Sequence, residues 1–273
     1  MQETLDVPGF QQKVLAFYKE KGRDFPWRHT KDPYEITVSE FMLQQTRTEG
    51  VLKKYSLFLQ AFPSAYDLAE ASLKDLLFLW KGLGYNRRAL YLQNFARTLA
   101  YTWEGELPKD PSVLEQCQGI GPYTARAILT FTFNLPLVFL ETNIRRVYLY
   151  HFFPQGSDIR DKDLLPLVEK TLYQEDPRGW YYALMDYGAY IGKEVPNPNR
   201  RSKHFTKQSP FEGSYRQLRG KILSVLLASA SGISLNDLNS RLTFSPEKTS
   251  RALRDLVKEG FVAEKEGKYH IRD

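Results

Sequence analysis

Short segments with apolar side chains at helical spacing fill the first 200 residues, and this periodicity restricts the chain to a mainly α-helical fold. The segments with this spacing cover residues 8–21, 35–60, 67–80, 86–101, 111–116 and 122–134. Strand-like alternation is scarce before the C-terminus, and Pro111 and Pro177 stand where helices would begin. We therefore expect a succession of short helices whose character changes only after about residue 212.

Residues 213–273 predict a second, smaller domain. Helical patterns cover 215–228, 234–242 and 245–259, and the third starts with a cap, a first-turn proline and an early acid. The residues that follow alternate like a hairpin that turns at Glu266-Gly267. Three helices and a hairpin resemble a winged helix, in which the third helix can enter the major groove of DNA, although many winged helices bind proteins.

The charge of the chain favours a polyanionic partner. Its 273 residues carry a net charge of +6 with a pI near 9.1. Residues 193–221 contain two acidic residues, Glu194 and Glu212. The same stretch contains eight basic residues: Lys193, Arg200, Arg201, Lys203, Lys207, Arg216, Arg219 and Lys221. We expect residues 193–212 to form a basic linker that contacts phosphates, the alternative being a purely solvated linker.

The chain shows no sign of a membrane or export segment. No run of about 18 apolar residues is present, and the start lacks the basic and apolar regions of a secretory signal. We therefore expect a cytoplasmic protein with no membrane contact.

Glu40 is the first candidate for chemistry. It is the one carboxylate in the otherwise apolar run 36–46, which ends in two adjacent glutamines. If this run is helical, desolvation against the core favours the protonated carboxyl and makes Glu40 a candidate proton donor. The alternative is a buried, hydrogen-bonded helix glutamate without a catalytic role.

Three ordered blocks resemble the helix-hairpin-helix DNA glycosylases, and within them the MutY-like adenine glycosylases. The blocks are residues 25–46, residues 80–89 with Gly-Leu-Gly-Tyr, and residues 118–129 with Gly-Ile-Gly-Pro-Tyr. Together they span roughly residues 10 to 192. The resemblance implies a two-lobed fold, with a six-helix barrel lobe at about 30–138 and a second lobe from 1–29 and 139–192, before the linker and the winged-helix domain.

The resemblance also implies three catalytic positions. Glu40 matches the glutamate that protonates the departing base. Glu141 stands where the family has a catalytic aspartate before a short helix, and it is one methylene longer; the alternative is a helix-start acid favoured by the macrodipole. Tyr123 stands where bifunctional relatives have a Schiff-base lysine, so no amine-driven lyase step is expected.

DNA contacts follow from the same resemblance. Gln44 and Gln45 look like residues that fill the vacated stack or bind the flipped base, and Tyr85 like a wedge beside the opposite base. The alternatives are ordinary helix C-terminal polarity for the glutamines and a cap on a small core for the tyrosine. The hairpin and its neighbours would supply the remaining DNA contacts, which are Gly119, Gly121, Thr124, Arg87 and Arg88.

No cofactor is expected. Most relatives of this type hold an iron-sulfur cluster on four cysteines, whereas this chain has only Cys117, which precedes the hairpin. The four histidines are scattered and form no His-x-x-x-His pair, so no metal site is predicted. Nothing after residue 212 resembles the Nudix-like domain that helps MutY-like enzymes recognise 8-oxoguanine.

The leading hypothesis is a monofunctional glycosylase of base excision repair. It would be a monomer that binds double-stranded DNA with a mismatch or lesion and removes adenine opposite guanine or 8-oxoguanine. One alternative changes the base to uracil, thymine, hypoxanthine or another lesion. The other is a non-catalytic protein that binds mismatches or DNA structures, in which Glu141 marks decayed chemistry.

Overall fold

A computed structural model describes residues 6–206, 209–229 and 231–272. Its mainly helical character confirms the fold class that the periodicity predicts. The helices before the basic linker are α1 (Val7–Lys21), α2 (Pro33–Leu43), α3 (Thr48–Leu52), α4 (Tyr55–Ala61), α5 (Ala65–Glu70), α6 (Leu73–Trp80), α7 (Arg87–Arg97), α8 (Pro111–Leu114), α9 (Pro122–Phe133), α10 (Thr142–Phe152), α11 (Asp161–Thr171) and α12 (Pro177–Glu194).

The contacts divide the described chain into two compact units. The first contains the described residues of 1–36 and 108–207, and the second those of 37–107 and 208–273. This grouping places α8 and α9 with the first unit, whereas the sequence assigns them to the barrel lobe at about 30–138. The predicted segment at 35–60 is three helices, because the chain turns after Leu43 and again at Lys53–Lys54.

An aromatic core holds the first unit together around α10 and α12. Trp180 and Tyr148 are fully buried, and the rings of Phe139 and Tyr181 stack with centroids 3.7 Å apart. The two helices approach closely at Gly188, where an added Cβ would lie 2.1 Å from the carbonyl oxygen of Asn143. Only glycine fits this contact, since a backbone carbonyl cannot move aside without moving its helix.

A buried ion pair ties the segment after α1 to α12. Both terminal nitrogens of Arg28 donate to Asp186, at 2.8 and 2.9 Å, and the backbone N–H of Arg23 donates to the same carboxylate at 2.6 Å. Burial alone would raise the pKa of Asp186, but the hydrogen bonds and charges of Arg28 and Arg23 hold it below its usual range.

The second unit combines a helical core with the C-terminal segment. In the helical part Trp80, Phe58 and Phe95 are buried. The C-terminal elements are β1 (Ile233–Ser234), β2 (Val262–Lys265), β3 (Lys268–Ile271), α13 (Tyr215–Leu227), α14 (Leu235–Arg241) and α15 (Pro246–Lys258). The strands form an antiparallel sheet in the order β1-β3-β2, and the three helices and the hairpin turn at 266–267 agree with the sequence prediction.

No helix among the described residues is long and apolar enough to cross a membrane.

Candidate functional site

Glu40 lies in the buried middle of α2. Its neighbours Val38, Phe41 and Met42 have no solvent access, and Glu40 itself is 6% exposed. A carboxyl group in such surroundings has little contact with solvent. The helix that the sequence predicts around Glu40 is therefore present, and the carboxyl is desolvated as expected.

Gln44 and Gln45 form a turn directly after α2. The helix ends at Leu43, Gln44 is half-buried, and Gln45 is exposed with a φ of 54°, in the left-handed region. A non-glycine residue rarely adopts this conformation without support from its surroundings. The two amide side chains thus stand on a tight turn and not on the helix end that the sequence suggests.

Arg88 provides that support. Six oxygen atoms lie 2.6 to 3.0 Å from its terminal nitrogens: the carbonyl oxygens of Phe41, Met42, Gln44, Leu83 and Gly84, and the hydroxyl of Thr46. The residue is 7% exposed, and burial lowers its pKa to about 10, which leaves it charged at neutral pH. The predicted DNA contact of Arg88 stays a prediction, and these oxygens surround its guanidinium group in the structure. Arg88 positions the glutamine turn.

Tyr85 stands on the neighbouring loop between α6 and α7. Gly82 and Gly84 have φ values of 97° and 71°, and Tyr85 itself has a φ of 47°. The indole N–H of Trp80 donates to the carbonyl oxygen of Gly84 at 3.2 Å, which fixes the loop from below. Tyr85 is 36% exposed, so its ring is available at the surface.

The C-terminal segment contributes side chains that the sequence reasoning missed at this place. Arg216 of α13 donates to the hydroxyl oxygen of Tyr85 at 2.6 Å. Glu259, which follows α15, accepts from Arg87 at 2.7 Å and from both terminal nitrogens of Arg219 at 2.8 and 2.6 Å. The pairs of Arg216 with Tyr85 and of Arg87 with Glu259 join residues more than 100 positions apart in sequence, and the sequence signal for them was the excess of basic residues.

A shallow pocket lies beside these residues, with a volume of about 350 Å³. Its lining contains both glutamines, two tyrosines and three arginines: Gln44, Gln45, Tyr85, Tyr91, Arg87, Arg88 and Arg219. Amide, phenol and guanidinium groups all hydrogen-bond to base edges, and the positive charge suits a polyanion. The second unit therefore brings together five of the predicted site residues with Arg219.

The predicted hairpin lies in the first unit, between α8 and α9. Gly119 has a φ of 85°, which favours glycine, and Gly121 is extended, with open space where a Cβ would stand. Helix α9 follows with Pro122 as its first residue and no side-chain cap. An uncapped helix start beside an open glycine allows a phosphate to approach the backbone closely.

Tyr123 and Thr124 differ in their exposure. Tyr123 is half-buried, with its ring edge-on to Phe139 at 5.7 Å. Thr124 is 5% exposed, so its side chain faces the protein interior. The predicted DNA contact of Thr124 stays a prediction, and this burial favours a contact through its backbone at the start of α9 over one through its hydroxyl.

Glu141 caps α10. One carboxylate oxygen accepts from the backbone N–H groups of Asn143 and Ile144 at 2.6 and 2.8 Å, and the other accepts from the Asn143 side chain at 3.3 Å. Burial raises the pKa of the Glu141 carboxyl, although these two N–H groups and the charges of Arg145 and Arg146 oppose the shift. The helix-start interpretation is thus present in the structure, and it fixes the carboxylate in one orientation.

The segment after α12 is anchored to α10 by amide and basic side chains. The Asn199 amide donates to the carbonyl oxygen of Thr142 at 2.9 Å, and Arg201 donates to the carbonyl oxygens of Leu149 and Phe153 at 3.1 and 2.9 Å. This is the place at which a cluster loop would begin, and it holds no thiolate. A four-thiolate iron-sulfur cluster therefore does not fit this chain, whose one cysteine precedes the hairpin.

The anchoring also revises the basic linker. Of the eight basic residues between 193 and 221, Arg201, Arg216 and Arg219 donate to groups within their own unit, and Lys207 lies outside the described residues. Among the rest, Arg200 and Lys203 are exposed and remain candidates for phosphate contacts.

Comparison with known proteins identifies the relatives of this architecture. The family model of the HhH-GPD superfamily of base excision DNA repair proteins matches residues 38–169. The adenine DNA glycosylase of Mycobacterium tuberculosis (strain CDC 1551 / Oshkosh) is 30% identical over 275 residues, covering 91% of this chain and 88% of that protein. The adenine DNA glycosylase of Buchnera aphidicola subsp. Baizongia pistaciae is 36% identical, over 67% of this chain and 52% of its own length.

A solved structure gives the same relationship in three dimensions. A thermostable thymine-DNA glycosylase matches with a TM-score of 0.61 at 27% identity, over 72% of this chain and 90% of that one.

Proposed function

Because the chain belongs to the HhH-GPD superfamily of base excision DNA repair proteins, we propose that it is a monofunctional adenine DNA glycosylase acting on adenine opposite guanine or 8-oxoguanine. The observation that carries the proposal is the position of Glu40. A buried carboxyl stands on α2 four residues before Gln44, so a proton donor and two base-binding amides follow one another at the end of a rigid element.

The reaction would cleave the C1′–N bond of an adenine that has left the base stack. Glu40 gives its proton to a ring nitrogen, which lets the base depart as neutral adenine while positive charge develops on the sugar. The Glu141 carboxylate stabilises that charge electrostatically. Water then adds its hydroxyl to C1′ and returns its proton to Glu40, so the products are free adenine and an abasic site.

The remaining residues would position the DNA. Gly119, Gly121 and the start of α9 bind a phosphate of the strand that carries the adenine. Tyr85, Gln44 and Gln45 contact the flipped base and the opposite base. Since Tyr123 has no amine, the sugar is released without an imine and the strand is left intact.

A second candidate is a mismatch glycosylase for thymine. The observation that favours it is the structural match to a thymine-DNA glycosylase. Tyr123 does not distinguish these two functions, because tyrosine at this position also occurs in both the adenine and the thymine mismatch glycosylases of the family that the chain resembles.

The test is a panel of four labelled duplexes at saturating enzyme. Single-turnover excision of adenine opposite guanine and opposite 8-oxoguanine should exceed excision of uracil or thymine opposite guanine. Glu40→Gln should lower the adenine rate by at least about a hundredfold, the range of general acid catalysis. Glu49→Gln, which changes an exposed glutamate of α3, is the matched control and should keep the rate. A pyrimidine as the fastest substrate would leave only the broader glycosylase function.

We further infer that the enzyme works without an iron-sulfur cluster, as a cytoplasmic monomer on mismatched double-stranded DNA. One cysteine cannot supply four thiolate ligands. Iron analysis of the purified protein tests this directly, and stoichiometric iron would contradict it.

A further inference from the structure

We propose that α13 of the C-terminal segment is part of the site that reads the base opposite the excised one, with Arg216 as the positioning residue for Tyr85. This inference rests on the proposed function and adds a specificity element to it. The C-terminal segment would thus complete the glycosylase site and not act only as a separate DNA-binding module.

The first argument is the conformation of Tyr85. Its φ of 47° lies in the left-handed region, which is unfavourable for a side chain of this size. A surface loop keeps such a conformation only when contacts hold it. Arg216 supplies one of them, through the 2.6 Å hydrogen bond to the phenol oxygen and a guanidinium carbon 5.6 Å from the ring centroid.

The second argument is that Arg216 is itself fixed. Its second terminal nitrogen donates to the carbonyl oxygen of Ser209 at 2.9 Å, while Ser214 caps the start of α13. The guanidinium group is therefore oriented before DNA arrives, so holding Tyr85 costs little additional side-chain entropy.

The third argument is the ion-pair bridge that joins α7 to the C-terminal helices. Glu259 binds Arg219 through two parallel hydrogen bonds and also pairs with Arg87. Burial alone would raise the pKa of Glu259, but both arginines hold it below its usual range, so the bridge stays charged. Arg219 lies on the pocket that contains Gln44 and Gln45, and this bridge aligns α13 with the glutamine turn.

The side of the pocket that carries Tyr85 and α13 suits a purine of the opposite strand. The phenol ring of Tyr85, held by Arg216, can stack on a base, and a purine offers this ring a larger face than a pyrimidine does. A cytosine stacks on the ring over a smaller area, so this side of the pocket should disfavour it.

A double-mutant cycle between Arg216 and Tyr85 tests the proposal. Arg216→Ala, Tyr85→Phe and the double variant are compared on duplexes with adenine opposite guanine and adenine opposite cytosine. We expect each single variant to lower the guanine-over-cytosine rate ratio about tenfold, the scale of a charge-assisted hydrogen bond. The double variant should lose no more than either single variant, because both remove the same interaction. Arg216→Lys should restore part of the ratio.

Two controls separate this idea from a structural effect and from the proposed function. Arg241→Ala, on an exposed arginine of α14, removes the same charge from the same segment and should leave the ratio unchanged. The affinities of all variants for the two duplexes are measured with a cleavage-resistant 2′-fluoro adenosine, so the guanine preference is read without excision. If no adenine duplex is cut but this binding preference falls with Arg216, the proposed function fails and α13 keeps its role. Unchanged ratios, or additive losses in the double variant, would overturn the proposal.

Discussion

Replacing Glu141 by glutamine should change activity and stability in opposite directions. Glutamine has nearly the same shape and keeps one oxygen that can accept from the backbone N–H groups of Asn143 and Ile144, so the cap on α10 survives. What disappears is the negative charge. Loss of an electrostatic stabiliser of this kind lowers excision by about 100- to 1000-fold.

The stability effect follows from the direction of the pKa shift. Burial raises the pKa of Glu141 in the folded state above its ordinary value of 4.5, so the folded protein binds the proton more tightly than the unfolded chain. The charged carboxylate therefore lowers the free energy of unfolding at neutral pH. This destabilisation vanishes as the pH falls below 4.5, the ordinary pKa that Glu141 has in the unfolded chain. Glu141→Gln should be as stable as the parent protein or more stable at pH 7, and the two should converge near pH 4.

The assay combines thermal unfolding between pH 4 and 8 with single-turnover excision of adenine. Glu141→Ala lacks the charge and both capping bonds, so it should be about 1 kcal/mol less stable than Glu141→Gln at every pH, which separates the cap from the charge. Glu141→Asp keeps charge and cap and should remain active. A glutamine variant that excises adenine within about threefold of the parent rate, or that melts well below it at pH 7, would refute the reasoning.

Three other perturbations have defined outcomes. Gly188→Ala would place a Cβ 2.1 Å from the Asn143 carbonyl oxygen, so it should displace α10, lower the melting temperature and slow excision, whereas Gly220→Ala, with open space around it, should be neutral. Asp186→Ala leaves buried Arg28 without its carboxylate and should lower the free energy of unfolding by about 3 to 5 kcal/mol at pH 7. Since the folded pKa of Asp186 is lowered, the difference in stability between parent and variant should narrow as the pH falls below 3.8. A difference that stays constant in acid would contradict this. Borohydride added during turnover should trap little enzyme on DNA, because Tyr123 replaces the amine; efficient trapping would mean that another amine reacts.

The elements that the sequence predicts well are those with local causes. The third C-terminal helix begins at Ser245-Pro246 because the serine caps it and the proline occupies its first position. The hairpin turns at Glu266-Gly267 because both residues adopt a positive φ there. The burial of Glu40 was predictable for the same reason, since a single carboxylate in an apolar helical run has no solvent-facing side to occupy.

The contacts that the sequence does not reveal depend on distant partners. Arg88 looks like an exposed cation, but carbonyl oxygens from the end of α2 and from the loop before α7 converge on it. Hydrophobic periodicity does not predict this convergence, because the end of α2 and the loop before α7 meet only in the folded protein. The contact between Arg216 and Tyr85 has the same origin across 131 residues.

Glu141 shows why the sequence leaves two interpretations of one residue open. The macrodipole and the two N–H groups favour an acid at the start of α10, so a structural cap alone explains its presence. Yet the backbone cap uses only one oxygen, and the second accepts from the Asn143 amide at 3.3 Å. A capping residue without another role would be served as well by serine or threonine, which cap without placing a charge where burial raises its pKa. The ionised carboxylate therefore has a structural cost that the cap does not require, and a reaction that develops positive charge on the sugar supplies a reason to keep it.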